Sequence, residues 1–332
     1  MNAVVLAGGV GGARFLKGLV SVIGPGSVAD PGNVSIIGNV ADDTEVLGLH
    51  VSPDLDSVLY TLAGVFDGER GWGRIDETWN ALETASELGV ERWFKVGDRD
   101  LGLHLVRSEA LRRGEPLSAI TRRLTAAFGV GAELLPATDD RLRTWLETPA
   151  GTFAFQEWFV ERGHRDDVDA VRFEGEESAR PAPGVLEGLE SADAILIAPS
   201  NPYVSIAPIL AVGEIRASLE RRRAPAVAVS PLIGGKTVKG PADRMLGRLA
   251  GGTSAGHVAG CYEGLIDALV FDEADAGDAD GVAARSVRPV VTQTLMRDAD
   301  ARRRLVEAAL EVSAVFTRFS GVAGGAGPEG TV

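Results

Sequence analysis

The residues best suited to chemistry stand at the start of the chain. An apolar run, Val4-Val5-Leu6-Ala7, enters the cluster Gly8-Gly9-Val10-Gly11-Gly12, and Ala13-Arg14-Phe15-Leu16-Lys17 leaves it with helical character. Glycine carries no Cβ and tolerates positive φ, so a ligand can approach such a backbone closely. A helix beginning there turns free N–H groups and the positive end of its dipole toward the loop, which suits an anion. Gly8, Gly9, Gly11 and Gly12 therefore read as backbone donors to phosphate. The spacing is not a true G-x-G-x-x-G, because Arg14 stands where the third glycine would fall, and the Gly-Lys-Ser/Thr of a Walker loop is missing. A second group, Asp42-Asp43, follows the apolar run Val34-Ser35-Ile36-Ile37 and the turn Gly38-Asn39-Val40-Ala41. Adjacent carboxylates repel each other and favour a cation between them, and beside a phosphate Mg²⁺ is the hard, oxygen-seeking choice. A helix cap or a solvated loop is the ordinary alternative for either acid.

Elements must hold these groups together. Ala192–Ala198 is another unbroken apolar strand, running into Pro199-Ser200-Asn201-Pro202-Tyr203-Val204-Ser205. Ala226–Ser230 repeats the pattern before Pro231-Leu232-Ile233-Gly234-Gly235-Lys236. Continuous apolar strands are those of a parallel sheet buried on both faces, and ligands gather at the carboxyl ends of such strands. The fold class expected is therefore α/β, a doubly wound, mostly parallel Rossmann-like sheet. Ser200, Asn201, Ser205 and Gly234 would join the phosphate loop at one edge. Further strands are expected at Glu133–Pro136, Val168–Phe173, Ala268–Phe271 and Val287–Val291, with an antiparallel pair Arg143–Glu147 and Thr152–Phe159. Helical periodicity in the run from Ser52, in Glu77–Leu88, Leu101–Arg113 and Leu117–Phe128 breaks the βα alternation, so residues 53–128 read as a helical insertion. Asp54 or Asp56 would cap the first of these helices. A helix over Ala301–Val315 closes a single domain of residues 1–320; Pro25–Pro31 reads as a loop and 321–332 as a Gly-rich tail.

Composition narrows the function. With 332 residues, 45% of them hydrophobic, the chain can bury a sizeable core. A net charge of −14 argues against nucleic acid as a partner, and no apolar run reaches membrane-spanning length. The single cysteine, Cys261, excludes an internal disulfide framework and reads as a small core residue. His50, His164 and His257 show no metal spacing, and His104, among Leu101, Leu105 and Val106, reads as packing. A cytoplasmic protein acting on small molecules is expected.

Six blocks in order carry a family resemblance. They are Gly8-Gly9-Val10-Gly11-Gly12, Asn39-Val40-Ala41-Asp42-Asp43, Pro53-Asp54-Leu55-Asp56-Ser57, Gly97-Asp98-Arg99-Asp100-Leu101, Ala198-Pro199-Ser200-Asn201-Pro202 and Ser230-Pro231-Leu232-Ile233-Gly234. From the first strand to about residue 316 the chain resembles the CofD/FbiA family, the 2-phospho-L-lactate transferases of coenzyme F420 biosynthesis. The resemblance implies a homodimer, dependence on Mg²⁺, and a defined reaction. A guanosine diphosphate-linked three-carbon acid gives its phospho-acid unit to the terminal ribityl hydroxyl of the deazaflavin Fo, and GMP leaves. The loop through Arg14 favours the enolpyruvyl donor over the lactyl one. By the same resemblance Asp56, Lys95 and Asp98 would contact Fo, with Asp56 a possible base. Asp43, with Asp42, would hold Mg²⁺ for catalysis, and Arg14 or Arg99 would meet the donor's carboxylate or phosphate. Val10 stands where many relatives carry Thr, so no hydroxyl is available there. Two rivals remain: an NAD-dependent oxidoreductase, and a nucleotide-sugar-binding regulatory protein of the same fold.

Overall fold

The computed structural model describes residues 1–22 and 34–322. The loop expected at Pro25–Pro31 and nearly all of the Gly-rich tail lie outside the described residues. In chain order the strands are β1 (Ala3–Ala7), β2 (Val34–Gly38), β3 (Thr44–Val46), β4 (Leu49–Val51), β5 (Glu133–Pro136), β6 (Arg143–Thr148) and β7 (Gly151–Ala154). They continue with β8 (Ala170–Glu174), β9 (Ala194–Ile197), β10 (Ala226–Val229), β11 (Leu232–Ile233), β12 (Lys236–Thr237), β13 (Ala268–Asp272) and β14 (Arg288–Thr292). Seven of them form one parallel sheet in the order β14-β13-β10-β9-β1-β2-β5. The expected α/β architecture is the observed one.

Alternation along the strands builds two hydrophobic layers, as the period of two requires. Val4 and Leu6 face one layer with Ile37, Ile195, Ile197 and Phe271. Ala3, Val5 and Ala7 face the other with Ile36, Leu196 and Val227, under helix α1 (Gly9–Val22) and the closing helix Ala299–Val322. From β1 the chain first winds outward through β2 to β5, then returns across to β9 and winds the other way. The strand order thus reverses between β1 and β9, where a doubly wound sheet opens its crevice.

Helices α2 (Pro53–Leu62), α3 (Asn80–Glu87), α4 (Asp98–Arg112) and α5 (Leu117–Ala127) lie between β4 and β5. Helix α4 begins three residues before the expected start because the Glu77 carboxylate accepts the N–H groups of Arg99 and Asp100 (2.8 and 3.0 Å). The strand expected over Thr152–Phe159 stops at Ala154, and a wide helical turn, Glu157–Glu161, follows. Helical spacing gathers Phe155, Trp158 and Phe159 over Leu146 and Val168, which an alternating strand would split between two faces. Among the described residues no helix is long and apolar enough to cross a membrane.

Candidate active site

The glycine loop leaves β1 at Ala7 and enters α1 at Gly9. Gly9 adopts φ of +66°, a region open to glycine, and a Cβ on Gly8 would stand 2.6 Å from Asp54 Oδ2 and 2.9 Å from Ser205 Cβ. The loop is therefore gripped on both sides. Ser200 fixes it further: its hydroxyl donates to the Gly8 carbonyl (2.8 Å) and accepts from the Gly8 N–H (3.4 Å). Gly11 and Gly12 pack against Pro199 and Ser200. Asn201 accepts the Tyr203 N–H (2.9 Å), capping the turn that carries Ser205. Arg14 lies half-buried in the second turn of α1.

The acids lie beside this loop. Asn39, just past β2, donates through Nδ2 to Asp54 Oδ2 (3.0 Å) and to the Val204 carbonyl (3.2 Å), tying β2 to both α2 and the β9 side. Asp42, Asp43 and Asp54 are only 4%, 4% and 8% exposed. Burial pushes the Asp42 carboxyl well above the ordinary range, and the charge of Asp54 adds to it against the opposing pull of Thr144 and Asn39. Burial also raises Asp54 to about 6, opposed by the Asn39 amide and the Gly9 N–H and assisted by Asp43. Asp43 Oδ2 accepts from Ser52 Oγ (2.8 Å) and faces His50 Nε2 (2.8 Å). The Oδ1 atoms of Asp42 and Asp43 are buried and make no hydrogen bond.

These orphaned oxygens test the fit of the implied Mg²⁺. A buried acceptor without a partner costs about 1–3 kcal/mol, and a cation would relieve that cost together with the mutual repulsion of the acids. Among the described residues no three His, Cys, Asp or Glu side chains converge as a ready-made metal cage. Mg²⁺ at a phosphate site is ordinarily held by one or two carboxylates, with waters and phosphates completing the octahedron, so the donor set fits.

Other expected site residues are placed differently. Asp56 is buried, and both its oxygens meet the guanidinium of Arg107, one at 3.0 Å from Nη1. Asp98 bonds Thr78 Oγ1 (2.5 Å), Asn80 Nδ2 (2.8 Å) and the N–H groups of Asn80 and Ala81, so it caps α3. Those bonds hold its carboxyl at about 2. The Gly234 N–H donates to Asp275 Oδ2 (2.9 Å), an acceptor from within the chain. Lys95 is exposed in the segment before α4, and Arg99 is exposed in that helix's first turn.

Three residues from two elements escaped the sequence reading. His50 and Ser52 come from the β3–β4 hairpin, whose Leu47-Gly48 turn has positive φ at both positions (55° and 72°). Its strands are too short for periodicity to show; Leu47-Gly48 was the available turn signal. The third is Arg107 in α4: that helix turns Asp100, His104, Arg107 and Ser108 inward beside Leu103 and Ala110 and leaves Leu105 and Val106 exposed, so its buried face is mixed and not apolar.

Fold and loop together define a doubly wound α/β protein with a glycine loop and buried acids at its topological switch point. The family model of 2-phospho-L-lactate transferase CofD matches residues 3–310. A phosphoenolpyruvate transferase of Streptomyces griseus is 43% identical over 319 residues, covering 94% of this chain and 98% of that one. Those of Mycolicibacterium smegmatis and Mycobacterium tuberculosis are 40% and 41% identical, each over 95% of this chain and 99% of its own. A solved Bacillus halodurans protein of the UPF0052 family shares the fold, with a TM-score of 0.61 at 18% identity over 93% of this chain and 98% of that one. The chain belongs to the CofD family of transferases.

Proposed function

We propose that this chain transfers the phosphoenolpyruvyl unit of a guanosine diphosphate-linked donor to the terminal ribityl hydroxyl of Fo in coenzyme F420 biosynthesis. The hydroxyl oxygen bonds to the β-phosphorus, the bridging oxygen departs with GMP, and the hydroxyl proton passes to water or a nearby carboxylate. The observation that carries the reading is the anion loop with two orphaned carboxylate oxygens beside it, in a chain matched along its length by phosphoenolpyruvate transferases. Phosphoryl transfer asks little covalent chemistry of a protein; it asks for positioning and charge neutralisation. The free N–H groups opening α1 orient the diphosphate, while Ser200 and Ser205 keep the loop in shape. Asp42 and Asp43 would hold Mg²⁺, which when bound neutralises charge on the departing phosphate. Arg14 answers the donor's carboxylate, and Lys95 remains the contact for Fo. Asp56 serves the fold, by pairing with the buried Arg107. A homodimer belongs to the same reading and is checked by light scattering.

Incubation of the pure protein with Fo, Mg²⁺ and either the enolpyruvyl or the lactyl donor, read by mass spectrometry, tests the proposal. Dehydro-F420-0 and GMP are expected from the enolpyruvyl donor. Product from neither donor would refute the reading, and product from the lactyl donor alone would reverse the choice of acid.

A further inference from the structure

The anion-binding end of α1 already meets an anion of the chain's own. Asp54 sits in the first turn of α2, yet its carboxylate reaches out of that helix and accepts the Gly9 N–H, which opens α1. Its Oδ2 stands within 2.6 Å of where a Gly8 Cβ would be, and Asn39 Nδ2 holds the same oxygen at 3.0 Å. Asn39 is itself fixed, accepting the Ala41 N–H (2.9 Å) and donating to the Val204 carbonyl. Ser52, at the N-cap of α2, makes no side-chain cap bond, and the partners of Asp54, Asn39 and Gly9, both lie outside α2. The carboxylate therefore lies at the N-terminus of α1, at the place where a phosphate would be bound.

Such a group does two things to an incoming diphosphate. It occupies an N–H that the phosphate needs, and it presents like charge at short range. Asp43, with a free Oδ1, adds charge of the same sign nearby. A bare diphosphate meets repulsion; one that brings a divalent cation meets carboxylates able to share it. We propose that Asp54 makes the loop selective for a diphosphate complexed to a divalent cation and turns away free phosphate and metal-free nucleotide. The proposal rests on the reading of the donor as a nucleoside diphosphate derivative. It assigns Asp54 a task separate from that of Asp43, whose Oδ2 is already bound by Ser52 and His50. The bonds to Asp54 come from one backbone N–H and one amide, both of which can pass to a phosphate oxygen.

Calorimetric titration of the whole protein with GDP and with inorganic pyrophosphate, each in Mg²⁺ or in EDTA, tests this without turnover. Wild type is expected to lose roughly a hundredfold in affinity for both probes when Mg²⁺ is removed. Asp54→Asn keeps the shape and loses the charge, so its metal-free affinity should rise by about ten- to a hundredfold and the Mg²⁺ dependence should shrink by the same factor. Asp54→Ser, which also retreats from Gly8, should do likewise and serves if the amide variant fails to fold. Folded variants that bind metal-free GDP no better than wild type would overturn the inference while leaving the donor reading intact. A wild type that binds neither probe in Mg²⁺ would overturn both.

Discussion

Replacing Asp56 by alanine removes half of a buried ion pair, and the structure sets the expected cost. Asp56 is 5% exposed and Arg107 2%, with both carboxylate oxygens on the guanidinium and His104 Nδ1 at 3.9 Å. At about 3 Å and an effective dielectric near 20, the pair attracts by roughly 5 kcal/mol, most of it offset by the desolvation of both charges. Removing one partner forfeits the attraction and leaves a buried guanidinium with nothing opposite, so a loss of about 3–5 kcal/mol is expected. A helix cap at the same position would cost only about 0.5–2 kcal/mol. Urea denaturation at pH 7, followed by tryptophan fluorescence and circular dichroism, measures the difference. The double variant Asp56→Leu/Arg107→Met should recover most of the loss, because it removes both charges and keeps the volume. A cost below about 1 kcal/mol for Asp56→Ala, or no recovery in the double variant, would refute the assignment. Fo fluorescence titration of the folded double variant then shows whether Asp56 touches the acceptor: unchanged affinity is expected.

Asp43→Asn should abolish turnover and weaken Mg²⁺-dependent GDP binding while the thermal melt stays close to wild type; full activity in excess EDTA would sink the metal reading. Lys95→Ala should weaken Fo binding by about ten- to a hundredfold with GDP affinity unchanged, as expected for a lost charged hydrogen bond of roughly 1.5–3 kcal/mol; wild-type Fo affinity would mean an ordinary surface lysine. Burial holds the His104 ring at about 4 against 6.5 in the unfolded chain, so the unfolded state takes up its proton first and stability falls as pH drops from 6.5 to 4. Asp100, raised by burial to about 6 from 3.8, works in the opposite sense, losing stability as pH rises through that window, so the wild-type curve alone is partly flattened. The difference between wild type and His104→Gln, followed by urea titration at several pH values, should therefore change by up to about 3 kcal/mol between pH 6.5 and 4, and a constant difference would contradict the burial argument.

What could be read from the residues divides along physical lines. The parallel strands announce themselves because both their faces are buried: Ala194–Ile197 and Ala226–Val229 are apolar at every position. The glycine loop is legible for a related reason: a Cβ at Gly8 would collide with Asp54, Gly9 has positive φ, and glycine is the visible trace of both. Side-chain chemistry leaves no such trace. Asp54, Asp56, Asp98 and Asp100 look alike in a sequence, each an acid in or beside a helical first turn, and local rules assign all four to capping. Only Asp98 caps a helix, and it caps α3 and not the helix it begins. Asp54 meets the N-terminus of the preceding helix, α1, Asp56 binds Arg107, and Asp100 accepts the Tyr60 hydroxyl at 2.5 Å.

The partner decides each role, and the partners lie far away in the chain: Arg107 is 51 residues from Asp56. Helix α4 shows the same limit from the other side. Its inner face carries Asp100, His104, Arg107 and Ser108 beside Leu103 and Ala110, so hydrophobic periodicity does not reveal which face is buried. The polar part of that face meets α2 and the β3–β4 hairpin: Arg107 reaches Asp56, and Ser108 Oγ accepts the His50 N–H at 2.7 Å. The hairpin in turn holds Asp43 through His50 and Ser52. The inserted helices are thus continuous with the acids beside the glycine loop, through buried polar contacts that only the folded chain assembles.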